Sequence, residues 1–547
     1  MSLHCLVWTL SLLLGVMPVL GQRQTEPMNR GVMAMAKSAN EIFISWRYLV
    51  DDAENLAFNV YADGVKLNAS PIANSTNLLA SLSASSNHMI TVRPVLDGVE
   101  GPASEPFVYR SSTGIHRIVR DFDFAPMPDG RRYNMKFCWP ADLDGDGAYD
   151  FVMDRQNYGA TASDDETGVN SSSYPTPKVE AYSSTGQFMW RIDMGPNVQI
   201  FNGHDDMVIA YDMDGDGKAE VLMKTSEGTT FADGTRITAP DGTVTDTRNT
   251  MQVPVHYISV VNGMTGTELA RIEMPNKSYR EKEGLYNTWH YRSHNGHFGI
   301  AYLDGVRPSL IFEYSNRNAD KSFNGFVTAW DYRDGMLTER FNWVNRNEGN
   351  RYNDFHQIRI ADVDGDGFDE MIEGGFVLDH TGQPLFGTEL CHGDRHRTTD
   401  IDPDRPGLET FAIQQNNPTT LGMALYDAAS GEMIKKWYMN GVGDVGRGEC
   451  IDMDETSRGL EMYSTMHGYF DAKGNLLVDT ETDFPEEPIW WDGDLGREVL
   501  APIGSEGANI DIKKWNSVTK KMDRYLYNNK PLYNEKSSYY TKAQYGG

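Results

Sequence analysis

The hexapeptide DLDGDG at residues 142–147 recurs as DMDGDG at 212–217 and as DVDGDG at 362–367. In this pattern the carboxylates at positions 1, 3 and 5 can converge on one cation, while the glycine at position 6 makes the sharp turn. Position 9 is again a carboxylate, and oxygen ligands without thiolates favour calcium over zinc or copper. Strand-like residues follow each copy, where an EF-hand would need a helix. The pattern therefore predicts calcium loops in a β context, with these ligands: Asp142, Asp144, Asp146, Asp150, Asp212, Asp214, Asp216, Glu220, Asp362, Asp364, Asp366 and Glu370.

The acidic loop is one half of an internal repeat. Weaker copies begin at residues 304, 400, 452 and 492, and hairpins with glycine at the turn alternate with the acidic loops. The three shortest spacings between neighbouring copies match a four-stranded propeller blade of about 40–50 residues, and the longer spacings leave room for loop insertions. The sequence thus predicts an all-β fold in which residues 115–547 form a β-propeller stapled by calcium.

Before the repeat, residues 30–112 predict a small β-sandwich. Period-2 runs at 42–46, 58–61 and 89–95 are separated by Asp-Gly turns that are typical of hairpins. A tryptophan on an early strand and a length of about 70 residues are features of small sandwich domains. This segment resembles a fibronectin type III domain, and we expect an adaptor role for it.

Residues 1–21 predict a signal peptide. The stretch 6–20 is almost wholly apolar and ends in a Val-Leu-Gly sequence that resembles a cleavage site, although no Lys or Arg precedes it. A buried helix is the alternative. No other apolar run approaches the roughly 18–20 residues needed to span a bilayer. The sequence therefore predicts a secreted or periplasmic protein without a transmembrane segment.

The composition excludes one class of partner. The chain has 49 Lys and Arg against 78 Asp and Glu, a formal net charge of −29. Such a chain cannot hold a phosphate backbone by bulk electrostatics, so nucleic acid is excluded as a partner. The surplus of acid has to be solvated or neutralised, and divalent cations are the obvious means.

A longer stretch carries a family resemblance. Residues 212–230, DMDGDGKAEVLMKTSEGTT, together with WRIDMG at 190–195 and GRG at 446–448, closely resemble the rhamnogalacturonan lyases of polysaccharide lyase family 11. The likeness covers about residues 30–547. It implies an eight-bladed calcium-bound propeller that cleaves the rhamnosyl-(1→4)-galacturonate bond of rhamnogalacturonan I by β-elimination.

The resemblance also implies a central calcium held by histidine and acidic ligands. The matching positions here are His356, His392 and Asp394. Two places depart from the family pattern: Gln414-Gln415 stands where relatives are expected to carry an acidic ligand, and Lys136 where many carry Asn. Both departures indicate a remodelled cleft.

β-Elimination requires removal of the C5 proton of a galacturonate. A cation on the C6 carboxylate would stabilise the enolate-like transition state, and it would also let an acidic enzyme bind an acidic polymer. Arginine stays protonated, so Arg447 is expected to clamp the carboxylate or enolate, whereas the family lysine, matched to Lys542, could act as the base. The expected substrate contacts are Asp154, Arg395 and His396.

Two other functions stay open from the sequence. A non-catalytic, integrin-like adhesion or carbohydrate-binding propeller would share the calcium loops without needing the His/Asp/Arg cluster. A glycoside hydrolase would need two carboxylates at a defined separation.

Seven acidic markers against eight implied blades also predict that the C-terminal part of the propeller is missing, and hence poor solubility or weak activity. The alternative is a seven-bladed ring closed by a strand near residues 121–124. We expect a monomer.

Overall fold

The structure is a computed structural model. It describes residues 23–114, 122, 124–131, 133, 135, 137–155, 175–198, 208–247, 254–274, 295–317, 323–345, 355–390, 392–414, 420–438, 445–482, 487–492, 494–503 and 509–528. In these ranges the regular structure consists of β-strands and one 3-10 turn, Ser111–Thr113. No helix among these residues is long and apolar enough to cross a membrane.

The N-terminal region folds into two antiparallel sheets around one apolar core. One sheet contains β1 (Met33–Ser38), β2 (Glu41–Ser45) and β5 (Asn77–Ala80). The other contains β3 (Ala57–Ala62), β4 (Val65–Lys66), β6 (His88–Leu96), β7 (Val99–Glu100) and β8 (Phe107–Tyr109).

The core of this region follows the period-2 pattern of the sequence. Side chains that alternate along β2 and β3, such as Ile42 and Phe58, are buried between the sheets, and Trp46 packs edge-on against Phe58 with ring centroids 5.4 Å apart. The predicted turn at Asp63–Gly64 has positive φ at both residues, the conformation that a tight hairpin needs. A small β-sandwich is therefore present, while its likeness to fibronectin type III stays a prediction.

Seven four-stranded antiparallel sheets follow, each with its strands in chain order. Their bounds are: sheet one, β9 (Cys138–Ala141), β10 (Asp150–Arg155), β11 (Lys178–Tyr182), β12 (Phe188–Asp193); sheet two, β13 (Val208–Tyr211), β14 (Glu220–Ser226), β15 (His256–Asn262), β16 (Glu268–Glu273); sheet three, β17 (Asn295–Ala301), β18 (Ser309–Arg317), β19 (Phe323–Arg333), β20 (Met336–Asn345); sheet four, β21 (Arg359–Ala361), β22 (Glu370–Ile372), β23 (Phe376–Leu378), β24 (Pro384–Gly387); sheet five, β25 (Gly393–Thr399), β26 (Glu409–Gln414), β27 (Leu421–Asp427), β28 (Met433–Tyr438); sheet six, β29 (Gly448–Ile451), β30 (Glu461–Ser464), β31 (Tyr469–Phe470), β32 (Leu476–Val478); sheet seven, β33 (Glu487–Ile489), β34 (Glu498–Ile503), β35 (Asn509–Asn516), β36 (Lys521–Asn528).

Both halves of the predicted repeat are confirmed. Each of the seven acidic segments lies between the first and second strands of a sheet. The hairpin glycines lie between the third and fourth strands and have positive φ: Gly186, Gly266, Gly335, Gly382, Gly431 and Gly474. The described residues thus contain seven sheets of the repeat, after the two sheets of the N-terminal region; the eight-bladed ring stays a prediction. Of the alternative closing strand, Phe122 and Phe124 are described, and their rings pack against Tyr182 of sheet one.

The core lies between successive sheets. Along β14 every residue is buried, and neighbouring residues face opposite sheets. Val221 and Met223 pack with residues of sheet one, whereas Leu222 packs with Phe312 of sheet three. A strand that is covered on both faces needs apolar residues at successive positions, which explains why the repeat reads as continuous apolar runs after each acidic loop.

The acidic segments of successive sheets lie side by side. The same backbone hydrogen bond recurs at four of these junctions: Ala219 N to Asp142 O (2.7 Å), Asp369 N to Tyr302 O (3.4 Å), Leu460 N to Ile401 O (2.9 Å) and Arg497 N to Asp452 O (2.8 Å). We call this end of the sheets the loop end. Because neighbouring strands are antiparallel, the start of each first strand and the end of each second strand lie at the other end, which we call the opposite end.

A segment that precedes β1 crosses the loop end. It contacts four sheets through these hydrogen bonds: Arg23 Nη2 to Asp369 Oδ1 (2.9 Å), Gln24 N to Val306 O (2.7 Å), Gln24 Nε2 to Asp212 O (3.1 Å) and Asn29 N to Gly147 O (2.9 Å). We call residues 23–30 the strap. The strap links the small sandwich to the acidic loops.

Candidate active site and cation loops

Each predicted calcium loop is organised by its first aspartate. The two carboxylate oxygens of Asp142 accept the N–H groups of Gly145 (2.8 Å) and Gly147 (2.7 Å), which closes the turn. Asp212 and Asp362 make the same pair of bonds in their own loops. Both glycines of the first loop have positive φ, which a residue with a side chain rarely adopts.

Carboxylate oxygens converge in all three loops. Ligand atoms that lie within 4.8 Å of one another come from these groups: Asp142, Asp144 and Asp146; Asp212, Asp214 and Glu220; Asp362, Asp364 and Glu370. Asp366 forms a further group with Glu370 and His380, a histidine that the sequence analysis did not select. Asp150 and Asp216 belong to the same loops but lie outside these compact groups.

The position-9 carboxylates sit at the start of the second strands. Oε2 of Glu220 accepts the N–H of Met213 at 3.0 Å, and Glu370 bonds Val363 in the same way at 2.9 Å. Burial, and then the neighbouring aspartates, raise the pKa of Glu220 and of Glu370 to about 8. Burial likewise raises the pKa of Asp150 to about 6. Hard oxygen ligands with uncompensated charge are what calcium requires, so the three loops fit that ion.

At the opposite end, His356 lies between His392 and Asp394. The Nε2 atoms of the two histidines are 3.1 Å apart, and Asp394 Oδ1 is 3.8 Å from His356 Nε2. The backbone sets this arrangement, because Phe355 forms a parallel bridge with Gly393 and the N–H of His356 donates to Gly393 O at 3.2 Å. The structure therefore brings together the three residues that the resemblance selected.

Gln414 and Arg447 extend this cluster into the next sheet. Gln414 is paired in register with Gly393; it is fully buried, and both polar atoms of its amide lack a hydrogen-bond partner among the described residues. Its carbonyl accepts the N–H of Val445 at 3.2 Å, and the half-buried Arg447 follows Val445 by two residues. Thr465 N–H donates to Arg447 O at 3.1 Å and fixes the backbone there. We call His356, His392, Asp394, Gln414 and Arg447 the opposite-end cluster.

The expected substrate contacts differ in accessibility. Arg395 is half-buried on β25. Asp154 is buried near the end of β10, where its Oδ1 accepts the N–H of Phe137 at 2.6 Å, so its role stays a prediction. Lys542, Lys136 and Gln415 lie outside the described residues.

The role expected of His396 as a substrate contact likewise stays a prediction. The residue is fully buried, and its Nε2 lies 2.9 Å from the carbonyl oxygen of Gln357 on the neighbouring sheet. Burial, and then the nearby Arg359, lower the pKa of His396 to about 3, so the ring is neutral. In this structure His396 links sheets four and five through its contact with Gln357.

The fold and the site define a cation-loop β-repeat protein with a candidate active site. Its four-stranded sheets repeat, its oxygen-rich cation loops lie at one end, and its His/Asp/Arg cluster lies at the other. The model "Rhamnogalacturonan lyase family 11, C-terminal domain" matches residues 123–544, and "Rhamnogalacturonan I lyases beta-sheet domain" matches residues 23–109. The chain belongs to rhamnogalacturonan lyase family 11, a family of polysaccharide lyases.

Three relatives show how far the likeness extends. Rhamnogalacturonan endolyase YesW of Bacillus subtilis (strain 168) is 35% identical over 518 residues, which are 91% of this chain and 78% of that protein. Its crystal structure matches with a TM-score of 0.78, 33% identity and coverage of 92% and 83% of the two chains. Rhamnogalacturonan exolyase YesX of the same organism is 32% identical over 500 residues (88% and 78%), and the lyase of Bacillus licheniformis matches with a TM-score of 0.76, 32% identity and coverage of 92% and 83%.

Proposed function

We propose that this protein cleaves the rhamnosyl-(1→4)-galacturonate bond of rhamnogalacturonan I by β-elimination. Membership of the family supports the reaction class. The observation that carries the proposal is the opposite-end cluster, where His356 contacts His392 and Asp394 while Arg447 lies on the adjacent sheet. These are the groups that binding an anionic sugar and stabilising an enolate-like charge would need.

The seven sheets would be blades of a calcium-stapled β-propeller. Adjacent acidic segments and cores shared between successive sheets support a ring-like succession. Calcium in the three loops at 142–150, 212–220 and 362–370 would balance carboxylates that otherwise repel one another. These three loops lie at the loop end, whereas the opposite-end cluster lies at the other end of the sheets. Their role would therefore be structural.

A further calcium would be held at the opposite-end cluster by His356, His392 and Asp394. Imidazole and carboxylate donors fit a cation, and two Nε2 atoms that face each other at 3.1 Å need a proton or a cation between them. Calcium bound there would neutralise the C6 carboxylate of galacturonate and make its C5 proton easier to remove. Gln414 contributes a neutral amide to this site, which leaves the site less negative than a carboxylate would.

Residues of the chain would bind the substrate and remove its proton. Arg447 would donate two parallel N–H bonds to the substrate carboxylate, where negative charge increases as the proton leaves. Lys542 would accept the C5 proton. The C4–C5 double bond would form as the bond from C4 to the rhamnosyl oxygen breaks, and that oxygen would leave with a proton taken from the solvent. Arg395, half-buried on β25, would contact a neighbouring sugar. Export by a signal peptide at 1–21 would bring the enzyme to its polymer.

The mass of the products tests this proposal. β-Elimination leaves an unsaturated uronate at the new non-reducing end, so the two products together weigh as much as the substrate. Hydrolysis adds a water, and an adhesion protein gives no products. Incubation with rhamnogalacturonan I oligosaccharides should yield an unsaturated fragment and its rhamnose-ended partner, whose masses sum to that of the substrate. Fragments whose masses include an added water, or intact substrate alone, would contradict the proposal.

A further inference from the structure

The acidic loop of sheet seven has the carboxylate arrangement of a calcium loop, but it contains a cation of the protein. Ligand atoms of Asp492, Asp494 and Glu498 lie within 4.8 Å of one another, as they do in the three predicted calcium loops. The ammonium of Lys514 lies among them, with Nζ at 2.6 Å from Asp492, 2.6 Å from Asp494 and 2.8 Å from Glu498. Each distance is that of a charge-assisted hydrogen bond.

The register of the sheet explains why Lys514 reaches this position. Glu498 opens the second strand, and its register partner on the third strand is Lys514. In sheet two the corresponding partner of Glu220 is Asn262, which carries no charge. A single residue type at one ladder position therefore decides whether the carboxylates face an ammonium group.

The charges of the two kinds of loop differ accordingly. Burial alone would lower the pKa of Lys514, but its hydrogen bonds to the three carboxylates raise that pKa well above the usual range, so the ammonium stays charged. Within the described ranges, no Lys or Arg nitrogen lies within 4.0 Å of the carboxylates of the three predicted calcium loops. Those loops need an external cation, whereas the loop of sheet seven does not.

The sequence of this loop agrees with the difference. Glu498 corresponds to the position-9 carboxylate, because its Oε2 accepts the N–H of Trp491 at 2.9 Å as Glu220 accepts that of Met213. Counted back from Glu498, position 1, an aspartate in the three loops of 142–147, 212–217 and 362–367, is Trp490 here. The loop has thus lost one carboxylate that a calcium ion would use and gained a lysine. The neighbouring loop of sheet six also has a lysine ammonium beside a carboxylate, since Nζ of Lys520 lies 2.6 Å from Asp454.

We propose that Lys514 is the resident cation of the seventh acidic loop, so that this loop closes on the protein's own ammonium group and takes no divalent ion. Calcium would have to displace an ammonium that already bonds all three carboxylates. This division between calcium loops and a lysine loop goes beyond the proposed lyase function and does not depend on it.

The test is the number of calcium ions bound at saturation, measured on calcium-stripped protein by titration calorimetry. Lys514→Met removes the charge while keeping much of the side-chain volume, and it should add one calcium per chain. Terbium should report the new site directly, because Trp490 and Trp491 precede the loop and can sensitise its emission. The control, Lys521→Met, removes an exposed lysine of the same sheet and should leave the stoichiometry unchanged.

A second variant keeps the test decisive if Lys514→Met does not fold. Asp492→Asn in the otherwise native chain should leave the calcium stoichiometry unchanged, whereas Asp362→Asn should lower it by one. Loss of one calcium in Asp492→Asn, or an unchanged stoichiometry in folded Lys514→Met, would overturn the proposal.

Discussion

The Nε2 atoms of His356 and His392 lie 3.1 Å apart, with the two rings nearly perpendicular at 89°. The parallel bridge between Phe355 and Gly393 fixes the backbone on both sides of this contact. Two imidazoles in this position share either a proton or a cation. Asp394, 3.8 Å from His356, adds the negative charge that favours a cation.

Replacing either histidine should therefore change the calcium dependence of catalysis. For His392→Ala we expect the free calcium concentration at half-maximal rate to rise at least roughly tenfold, as expected when a metal site loses a ligand or its support. Initial rates measured against buffered calcium test this. His88→Ala, in the small sandwich, is the matched control. If the dependence of the rate on calcium were unchanged in His392→Ala, the histidine pair would have no role in the reaction.

Arg447→Ala should lower turnover much more than stability. A clamp that acts on charge developing in the transition state contributes about 2–4 kcal/mol, or roughly a hundredfold or more in rate. The control is Arg458→Ala, because Arg458 is an exposed arginine that pairs with Asp404 on the surface. If Arg447→Ala kept its kcat while its melting temperature fell, Arg447 would be a structural residue.

Calcium-free protein should lose stability as the pH rises. The pKa of Glu220 and that of Glu370 are about 8 in the folded chain, well above the value of about 4.3 of an unfolded glutamate. Between these two pH values the folded state binds more protons than the unfolded state, so the free energy of unfolding falls with increasing pH. Calcium should reverse this, and its effect on the melting temperature should be larger near pH 8 than near pH 6.

Thermal melts with and without calcium at these two pH values provide the measurement. Glu220→Gln should flatten the pH dependence of the calcium-free protein, since it removes one of the carboxyl groups whose pKa is raised by burial. A calcium-free melting temperature that rises towards pH 8 would contradict the interpretation of the loops.

The strap should contribute to stability through Asp369. This buried carboxylate accepts both the guanidinium of Arg23, at 2.9 Å, and the backbone N–H of Tyr302, at 2.7 Å. Asp369→Asn should cost about 1–3 kcal/mol of unfolding free energy, because it weakens two hydrogen bonds in a buried position. Asp404→Asn is the control: Asp404 pairs with Arg458 and Lys473 on the surface, and such pairs contribute about 0–1 kcal/mol. If the two variants lost the same unfolding free energy, the contact of the strap with Asp369 would add nothing to stability.

Much of the fold could be predicted from the sequence because the repeat marks the same turn in every sheet. The acidic segments and the hairpin glycines specify two of the three turns of a four-stranded sheet, and the apolar runs after the acidic segments specify the second strands. The grouping of His356, His392 and Asp394 followed from the family resemblance; their spacing along the chain gave no independent signal.

Other features depended on tertiary contacts that no local pattern contains. Simple alternation would place His396 on the same face as Asp394, but the register of β25 shifts between Gly393 and Arg395, and His396 is buried against Gln357. Lys514 looks like any strand lysine until the register with Glu498 is known. The strap has no strand periodicity, because it is held by scattered hydrogen bonds to four loops.

The measurement that tests the central claim most directly is ultraviolet absorbance during incubation of the full chain with rhamnogalacturonan I. An unsaturated uronate absorbs and the intact polymer does not, so absorbance should rise steadily with calcium present. It should stop after chelation and resume when calcium is restored, while circular dichroism shows that the protein stays folded. A folded, calcium-replete protein that gives no increase, or one that keeps its full rate without calcium, would contradict a calcium-assisted lyase.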